Sequence, residues 1–236
     1  MGKIVGIFGE SGVGKTTSTI VNPDGTVDFD KEGYKGMNPK SHFILNLDMK
    51  ALPIPGTMWH QSNKNYAETS DFNMIRNTLK WVAKQEHIKS ISIDTVNVYL
   101  AIKELNDRKM KTFDTWRDIA NDIIELNNMC NTILRDDQIA YIFGHTTLET
   151  NNNTGEDIER MSVVGKKLKK NPPESFYPIV LIARVEWGED GENEYYFETK
   201  ANHSTAKTPI GMFDSFKIPN SLKLVDNQVR AYYNIQ

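Results

Sequence analysis

Short, nearly continuous apolar runs recur along the chain, separated by longer amphipathic or polar stretches. Runs of this kind, bounded by polar and turn-forming residues, predict buried β-strands. They lie at 4–8, 43–47, 91–94, 139–143, 179–183 and 195–197. The last two runs are joined around Gly188 to Gly191, which predicts an antiparallel pair.

Between these runs, apolar residues recur at helical spacing and predict amphipathic helices. The clearest series is Phe72, Ile75, Leu79, Val82 and Ala83. It predicts a helix over about 71–86 with Ser70 or Asp71 as the N-cap. Two more helices are predicted by the series Val96, Leu100 and Leu105, and by the series from Ile119 to Ile133 that starts at Asp114 or Thr115.

Strands alternating with helices predict an α/β fold whose central sheet is mainly parallel and flanked by helices, with an antiparallel C-terminal extension. The length of 236 residues and the 39% hydrophobic content suit one domain, 1–236. The turn signal Asn22-Pro23-Asp24-Gly25 opens an insertion loop or hairpin at 21–42, and a polar, basic loop is expected at 150–175. Pro53 and Pro55 predict irregular structure as far as about Glu68.

The strongest chemical signal follows the first strand, where the sequence reads strand, glycine-rich turn and helix start. Glycines let backbone N–H groups point inward around phosphates, the lysine reaches the β- and γ-phosphates, and the following hydroxyl ligates Mg²⁺. We therefore predict binding of ATP and Mg²⁺, rather than an ordinary surface turn, by Gly9, Glu10, Ser11, Gly12, Val13, Gly14, Lys15, Thr16 and Thr17.

Acidic residues follow two other predicted strands, at the edge of a parallel sheet where ligands bind. Asp94 is placed to hold Mg²⁺ together with Thr16, as a Walker B carboxylate does, although an acid there also caps helices. The next residue is Thr95, so the adjacent second acid that activates water in many ATPases is absent. Asp48 is the best candidate for the base, or else a turn residue, and Glu68 is a weaker one.

The fourth predicted strand ends at His145 and Thr146. Both side chains are placed to hydrogen-bond the γ-phosphate and report the nucleotide state to the following loop. The alternative for His145 is a purely structural donor.

The overall composition bears on nucleic-acid binding, disulfide formation and cellular location. The net charge of −3 gives no global signal for nucleic acid, so any such contact depends on a local patch. Cys130 is the only cysteine, which excludes an internal disulfide and indicates a buried thiol. Without a long apolar run or a targeting segment, the expected location is the cytoplasm, with no membrane contact.

The order of these parts resembles the RecA-like ATPase core. Segment 43–48 resembles the RecA strand that ends in its catalytic acid, 91–95 its Walker B strand, and 143–145 the end of its sensor strand. Segments 9–17, 46–53, 144–145, 206–213 and 218–220 are similar to phage-encoded nucleotide-binding ATPases. The resemblance implies ATP-dependent recombination, annealing or replication of phage DNA in the host cytoplasm, beside an annealing or single-strand binding protein.

The resemblance also implies functional roles for several lysines, which are otherwise read as ordinary solvated side chains. A RecA-like protein contacts single-stranded DNA with the loop after the sensor strand, which here contains Lys166, Lys167, Lys169 and Lys170. Lysines after a later strand complete the neighbouring subunit's ATP site, a role that would fall to Lys200 and Lys207. Such a role requires a homo-oligomeric ring or filament.

Three functions remain open from the sequence. The first is a DNA-stimulated ATPase in which Lys15, Asp48, Asp94 and His145 are catalytic. The second is a nucleotide-gated adaptor with little hydrolysis, which recruits an annealing protein, nuclease or helicase. The third, a small-molecule kinase, lacks an evident acceptor pocket or lid motif.

Overall fold

The computed structural model describes residues 2–30, 32–106, 113–150, 154–163, 168, 172–188 and 191–236, with side chains described throughout except at 106 and 113–120. The strands are β1 Lys3–Phe8, β2 His42–Asn46, β3 Tyr66–Glu68, β4 Ser90–Asp94, β5 Ile139–Gly144, β6 Thr146–Thr150, β7 Asp157–Met161, β8 Ile179–Trp187, β9 Asn193–Glu198 and β10 Lys217–Pro219. The helices are α1 Phe72–Lys84, α2 Val96–Asn106, α3 Phe113–Ile133 and α4 Leu222–Tyr233.

Eight of these strands form one sheet in the order β10-β9-β8-β1-β5-β4-β2-β3. From β8 to β3 all neighbours are parallel, whereas β9 runs antiparallel to β8 and to β10. The prediction of an α/β fold with a mainly parallel sheet and an antiparallel C-terminal extension is confirmed.

The register of the central strands decides which residues meet at the sheet's carboxyl edge. Phe8 lies opposite Gly144, and Asn46 lies opposite Asp94. Strand β5 separates β1 from β4, so its end lies between the ends of those two strands. The residues that follow β1, β2, β4 and β5 therefore emerge side by side.

Alternate residues of the central strands belong to two apolar layers, one on each face of the sheet, as expected of a sheet that is covered on both faces. Ile4 and Phe8 point towards α1, α2 and α3, whereas Val5 and Ile7 point towards α4. Cys130 of α3 is buried in the first layer, in agreement with a structural thiol. Because both layers converge on β1, the loop that follows this strand starts from a rigid support.

Helix α1 shows how the local sequence sets an element's boundaries. Its N-cap is Asp71, one of the two predicted candidates, whose side chain accepts a hydrogen bond from Met74 N at 2.8 Å. Ile75, Leu79 and Val82 are buried against the sheet. The helix predicted from their spacing is confirmed.

The prediction of a helix directly after the glycine-rich turn is wrong. A 3₁₀ turn, Thr17–Thr19, takes its place. Most residues in 16–21 are β-branched and disfavour helix, and Pro23 cannot continue one. The chain then runs through 22–30 and 32–41 in turns and irregular structure, so the predicted insertion is a loop there rather than a hairpin.

Two regions expected to be irregular contain strands. Segment 66–68 extends the sheet as β3, pairing with β2 through Ile44 and Tyr66. Strands β6 and β7 form a separate antiparallel hairpin that begins before the expected loop at 150–175 and extends into it. Both are tertiary effects, because the pairing partner rather than local apolar periodicity fixes the extended backbone.

Candidate phosphate-binding site

The turn after β1 has the backbone geometry that a phosphate-binding loop needs. Gly12 and Gly14 have φ values of +87° and +83°, a region that side-chain-bearing residues rarely adopt. At Gly14, a Cβ would also come within 3.1 Å of a ring carbon of Tyr195. Glycine is therefore required at Gly14 for backbone conformation and for close approach of a neighbouring strand.

Lys15 is a buried cation held by backbone oxygens. Its side chain is only 6% exposed, and Nζ donates to Gly9 O at 2.8 Å and Glu10 O at 2.6 Å. Among the described residues it forms no ion pair with a carboxylate, and burial lowers its pKa to about 8, opposed by the more distant Asp94 and Asp48. A buried ammonium group without an anionic partner, at the wall of a cavity, fits an anionic ligand.

Asp94 ends β4 beside the phosphate-binding loop, at 5% exposure. One of its carboxylate oxygens accepts a hydrogen bond from Thr16 Oγ1 at 2.5 Å. Burial raises the pKa of Asp94 to about 6, against the opposing effects of the Thr16 hydrogen bond and the Lys15 charge. A hydroxyl and a carboxylate in contact are the two protein oxygens that a magnesium site at this position needs.

Asp48 lies two residues beyond the end of β2 and turns back towards β4. Its Oδ1 accepts hydrogen bonds from the backbone N of Thr95, at 2.9 Å, and from the Thr95 hydroxyl. Its Oδ2 lies 4.0 Å from Lys50 Nζ. Thr95, the residue that occupies the place of a second acid, therefore fixes the orientation of the candidate base. Glu68 accepts from the Tyr66 hydroxyl and does not line the cavity.

His145 follows β5 and lies beside Lys15 in the wall of the cavity. Its Nδ1 lies 3.5 Å from Lys15 Nζ, and its backbone N donates to Asn97 Oδ1 at 2.7 Å. Burial and the charge of Lys15 lower the pKa of His145, which favours the neutral imidazole. Thr146 starts β6 and does not line the cavity, so the structure does not bring this second sensor candidate to the site.

These side chains surround one cavity of about 380 Å³ at the carboxyl edge of the sheet. Four strands that are far apart in sequence deliver its predicted residues, Lys15 and Thr16, Asp48, Asp94 and His145. Within the described part of the chain, no cluster of three or more His, Cys, Asp or Glu side chains could hold a metal ion. Mg²⁺ commonly keeps waters and phosphate oxygens as ligands, so Thr16 and Asp94 fit its needs without such a cluster.

The structure describes two of the six lysines assigned from the resemblance. Lys166, Lys167, Lys169 and Lys170 are outside the described residues. Lys200 and Lys207 are exposed and do not line the cavity of their own chain. Lys207 pairs through its backbone with Val180 of β8. Their positions leave both side chains accessible to another molecule.

Three residues of the site's surroundings were not predicted as functional. Asn97 holds the end of β5, Tyr195 forms part of the cavity wall, and Asn220 donates to Val13 O in the phosphate-binding loop at 3.1 Å. Asn220 belongs to a segment quoted for the resemblance, which was the only signal available. Tyr195 and Asn97 carry no local motif, so only the packing of distant segments identifies them.

Comparisons with known proteins add little to this geometry. No protein-family model matches the chain, and no curated protein matches it. Among solved structures, the KaiC-like protein PH0186 from the archaeon Pyrococcus horikoshii OT3 is similar over 83% of this chain and 78% of that one, with 12% identity and a TM-score of 0.46. The description of the site as a phosphate-binding loop on a mainly parallel α/β sheet therefore rests on the chain's own geometry. No helix in the described part of the chain is long and apolar enough to cross a membrane.

Proposed function

We propose that this protein is a magnesium-dependent ATPase of the RecA-like type. The observation that carries the proposal is the buried Lys15 ammonium group, which lines the cavity next to the Thr16–Asp94 pair and has no carboxylate partner in the described part of the chain. An ATP triphosphate would supply the missing negative charge. The positive φ values of Gly12 and Gly14 are of the kind that lets a loop direct its backbone N–H groups towards the same ligand.

Each residue has a distinct role in this mechanism. Thr16 and Asp94 would hold Mg²⁺, which neutralises charge on the β- and γ-phosphate oxygens when bound. Lys15 stabilises the negative charge that develops on the transferring phosphoryl group. Asp48, oriented by Thr95, positions the attacking water and accepts its proton. Neutral His145 donates a hydrogen bond towards the γ-phosphate and thereby distinguishes ATP from ADP.

We further propose that the ATPase acts on single-stranded DNA in phage recombination, annealing or replication. The support is the similarity of its motifs to phage RecA-like proteins and the concentration of lysines at 166–170. Lysines can neutralise DNA phosphates without regard to sequence. A phage annealing or single-strand binding protein is the expected partner. The exposure of Lys200 and Lys207 suits a head-to-tail ring or filament in which they reach the adjacent subunit's triphosphate.

A nucleotide-gated adaptor is the second candidate, and one observation favours it. Thr95 donates two hydrogen bonds to a single oxygen of Asp48, so this oxygen is held by the protein rather than left free to position an attacking water. Such a protein would bind ATP tightly, hydrolyse it slowly and recruit an annealing protein, nuclease or helicase.

The test is ATP hydrolysis by the full chain at low salt, with and without single-stranded DNA, while assembly size is followed by light scattering. We expect single-stranded DNA to raise turnover, and we expect added salt to abolish the stimulation. Duplex DNA is the control ligand, and a Lys166/Lys167/Lys169/Lys170→Ala variant is the control protein. ATP binding with slow, DNA-independent turnover would favour the adaptor. The absence of magnesium-dependent ATP binding would contradict both.

A further inference from the structure

A second cavity adjoins the phosphate cavity. Its volume is about 690 Å³, and it lies between the loop at 24–27 and strands β9 and β10. Thr17 and Tyr195 line both cavities. The two spaces therefore meet at the end of the phosphate-binding loop, where a ligand can extend from one into the other.

Tyr195 forms the wall at this junction. A ring carbon lies 3.1 Å from the position of a Cβ at Gly14, so the ring packs directly over the loop's last glycine. The side chain is nevertheless 42% exposed. An aromatic ring that is fixed on one side and open on the other provides a surface on which a flat ring system can stack.

Asn220 adds a polar group to the same wall and is only 3% exposed. Its Nδ2 donates to Val13 O at 3.1 Å, and its backbone N donates to Tyr195 O at 3.3 Å. Its Oδ1 is buried and has no hydrogen-bond partner among the residues that the structure describes. The two hydrogen bonds that Asn220 makes tie the phosphate-binding loop to β9 at the junction of the two cavities.

We propose that the second cavity binds the ribose and base of the nucleoside triphosphate, with the base stacked on Tyr195. The inference rests on the proposed function, because it requires the phosphates to occupy the first cavity. The nucleoside continues from the phosphates past Thr17 into the second cavity, where Tyr195 forms the wall. The volume of the second cavity, about 690 Å³, is within the usual range for small-molecule sites.

The experiment compares two ligands that share a triphosphate and differ in the nucleoside. Binding of a non-hydrolysable ATP analogue and of inorganic tripolyphosphate is measured by calorimetry with Mg²⁺. We expect the wild type to bind the analogue about 10- to 100-fold more tightly, a range typical of base stacking. Tyr195→Ala should remove most of that preference, because it should weaken binding of the analogue much more than binding of tripolyphosphate.

Matched variants distinguish the loss of base stacking from a general disruption of the fold. Tyr195→Phe keeps the aromatic face and should keep the preference. Trp187→Ala removes an aromatic side chain that is 76% exposed on the same hairpin and lines neither cavity, so it should change nothing. Tyr195→Leu keeps an apolar side chain without an aromatic face, and it replaces the alanine variant if thermal melting shows that alanine disrupts the fold.

The possible failures are distinguishable. Equal wild-type affinities for the analogue and tripolyphosphate would overturn the nucleoside site and leave the phosphate site standing. The same conclusion would follow if the folded alanine or leucine variant weakened both ligands to the same extent. If neither ligand bound with Mg²⁺, the proposed function itself would be wrong, and the nucleoside site with it.

Discussion

The two adjoining cavities are built in different ways. The phosphate cavity combines residues of the loop segment 11–17 with residues of 46–53, with Asp94, Thr95 and His145 at the ends of parallel strands, and with Tyr195 of β9. The second cavity is assembled from three short segments, around 24–27, 193–196 and 217–220, at the antiparallel edge of the sheet. The first has a local signature because a tight turn must be encoded in consecutive residues. The second has none, because each segment supplies only part of a wall.

The charged side chains at the two cavities differ in their exposure to solvent. Lys15 and Asp94 are nearly buried at the phosphate cavity, where desolvation strengthens their interactions with a ligand. The second cavity has Asp24 and Lys217 at its rim, both solvent-exposed, together with aromatic and amide groups. We therefore expect phosphate contacts to supply most of the binding energy, and nucleoside contacts to supply a smaller, selective part.

The largest effect should follow from Lys15→Ala. Removing the buried cation should weaken magnesium-dependent ATP binding by at least about 100-fold, since charge-assisted hydrogen bonds to phosphate are strong in a desolvated site. Calorimetric titration with the ATP analogue measures this loss. Lys50→Ala, which removes an exposed lysine on the same cavity's rim, is the control and should bind nearly as wild type. Similar losses in both variants would mean that Lys15 has no special role.

Asp94→Asn should reduce hydrolysis by about 100-fold, because the amide keeps an acceptor for Thr16 but loses the charge that attracts Mg²⁺. The apparent magnesium requirement should rise in a titration of ATPase rate against Mg²⁺. An unchanged magnesium midpoint would show that Asp94 acts as a structural cap rather than as a ligand.

A smaller, purely kinetic effect is expected from Asp48→Asn. The amide oxygen can still accept from Thr95, so ATP affinity should stay within about twofold while kcat falls about 10- to 100-fold. Steady-state kinetics and analogue binding separate the two quantities. If kcat stays at the wild-type value, Asp48 is not the base, and Thr95 holds it only for structural reasons.

The least direct effect concerns the stability of the sheet beneath the phosphate cavity. His42 of β2 is fully buried between the hydroxyls of Ser90 and Ser92, and burial lowers its pKa to about 3 from 6.5. The unfolded chain therefore binds an extra proton between these values, and the free energy of unfolding falls as pH falls. The loss attributable to His42 should be about 2 kcal/mol between pH 7 and pH 5.

Urea unfolding of wild type and His42→Gln at both pH values isolates this contribution. Asp94, whose raised pKa acts in the opposite direction, and His145, whose pKa is lowered, are common to both proteins and cancel in the difference. Equal pH dependence in the two proteins would show that the native fold does not lower the pKa of His42.

Sequence patterns predicted elements where local and tertiary preferences agree. The central strands and α1 were predicted because their apolar periodicity matches their burial. The helix after the phosphate-binding loop was predicted wrongly from the motif alone, against the β-branched composition of 16–21 and the nearby Pro23. Strands β3 and β7 were missed because their extended conformation depends on a partner strand.

The amino-acid sequence by itself determined the phosphate-binding loop, since three glycines, a lysine and a threonine within eight residues specify both the turn and its chemistry. It also identified Asp48, Asp94 and His145 as candidates, because each follows a strand. Only the tertiary structure decided that β5 lies between β1 and β4, and so brought these side chains to one cavity. It alone placed Tyr195 and Asn220 against the loop, because contacts between distant segments depend on strand order and packing, which no local pattern encodes.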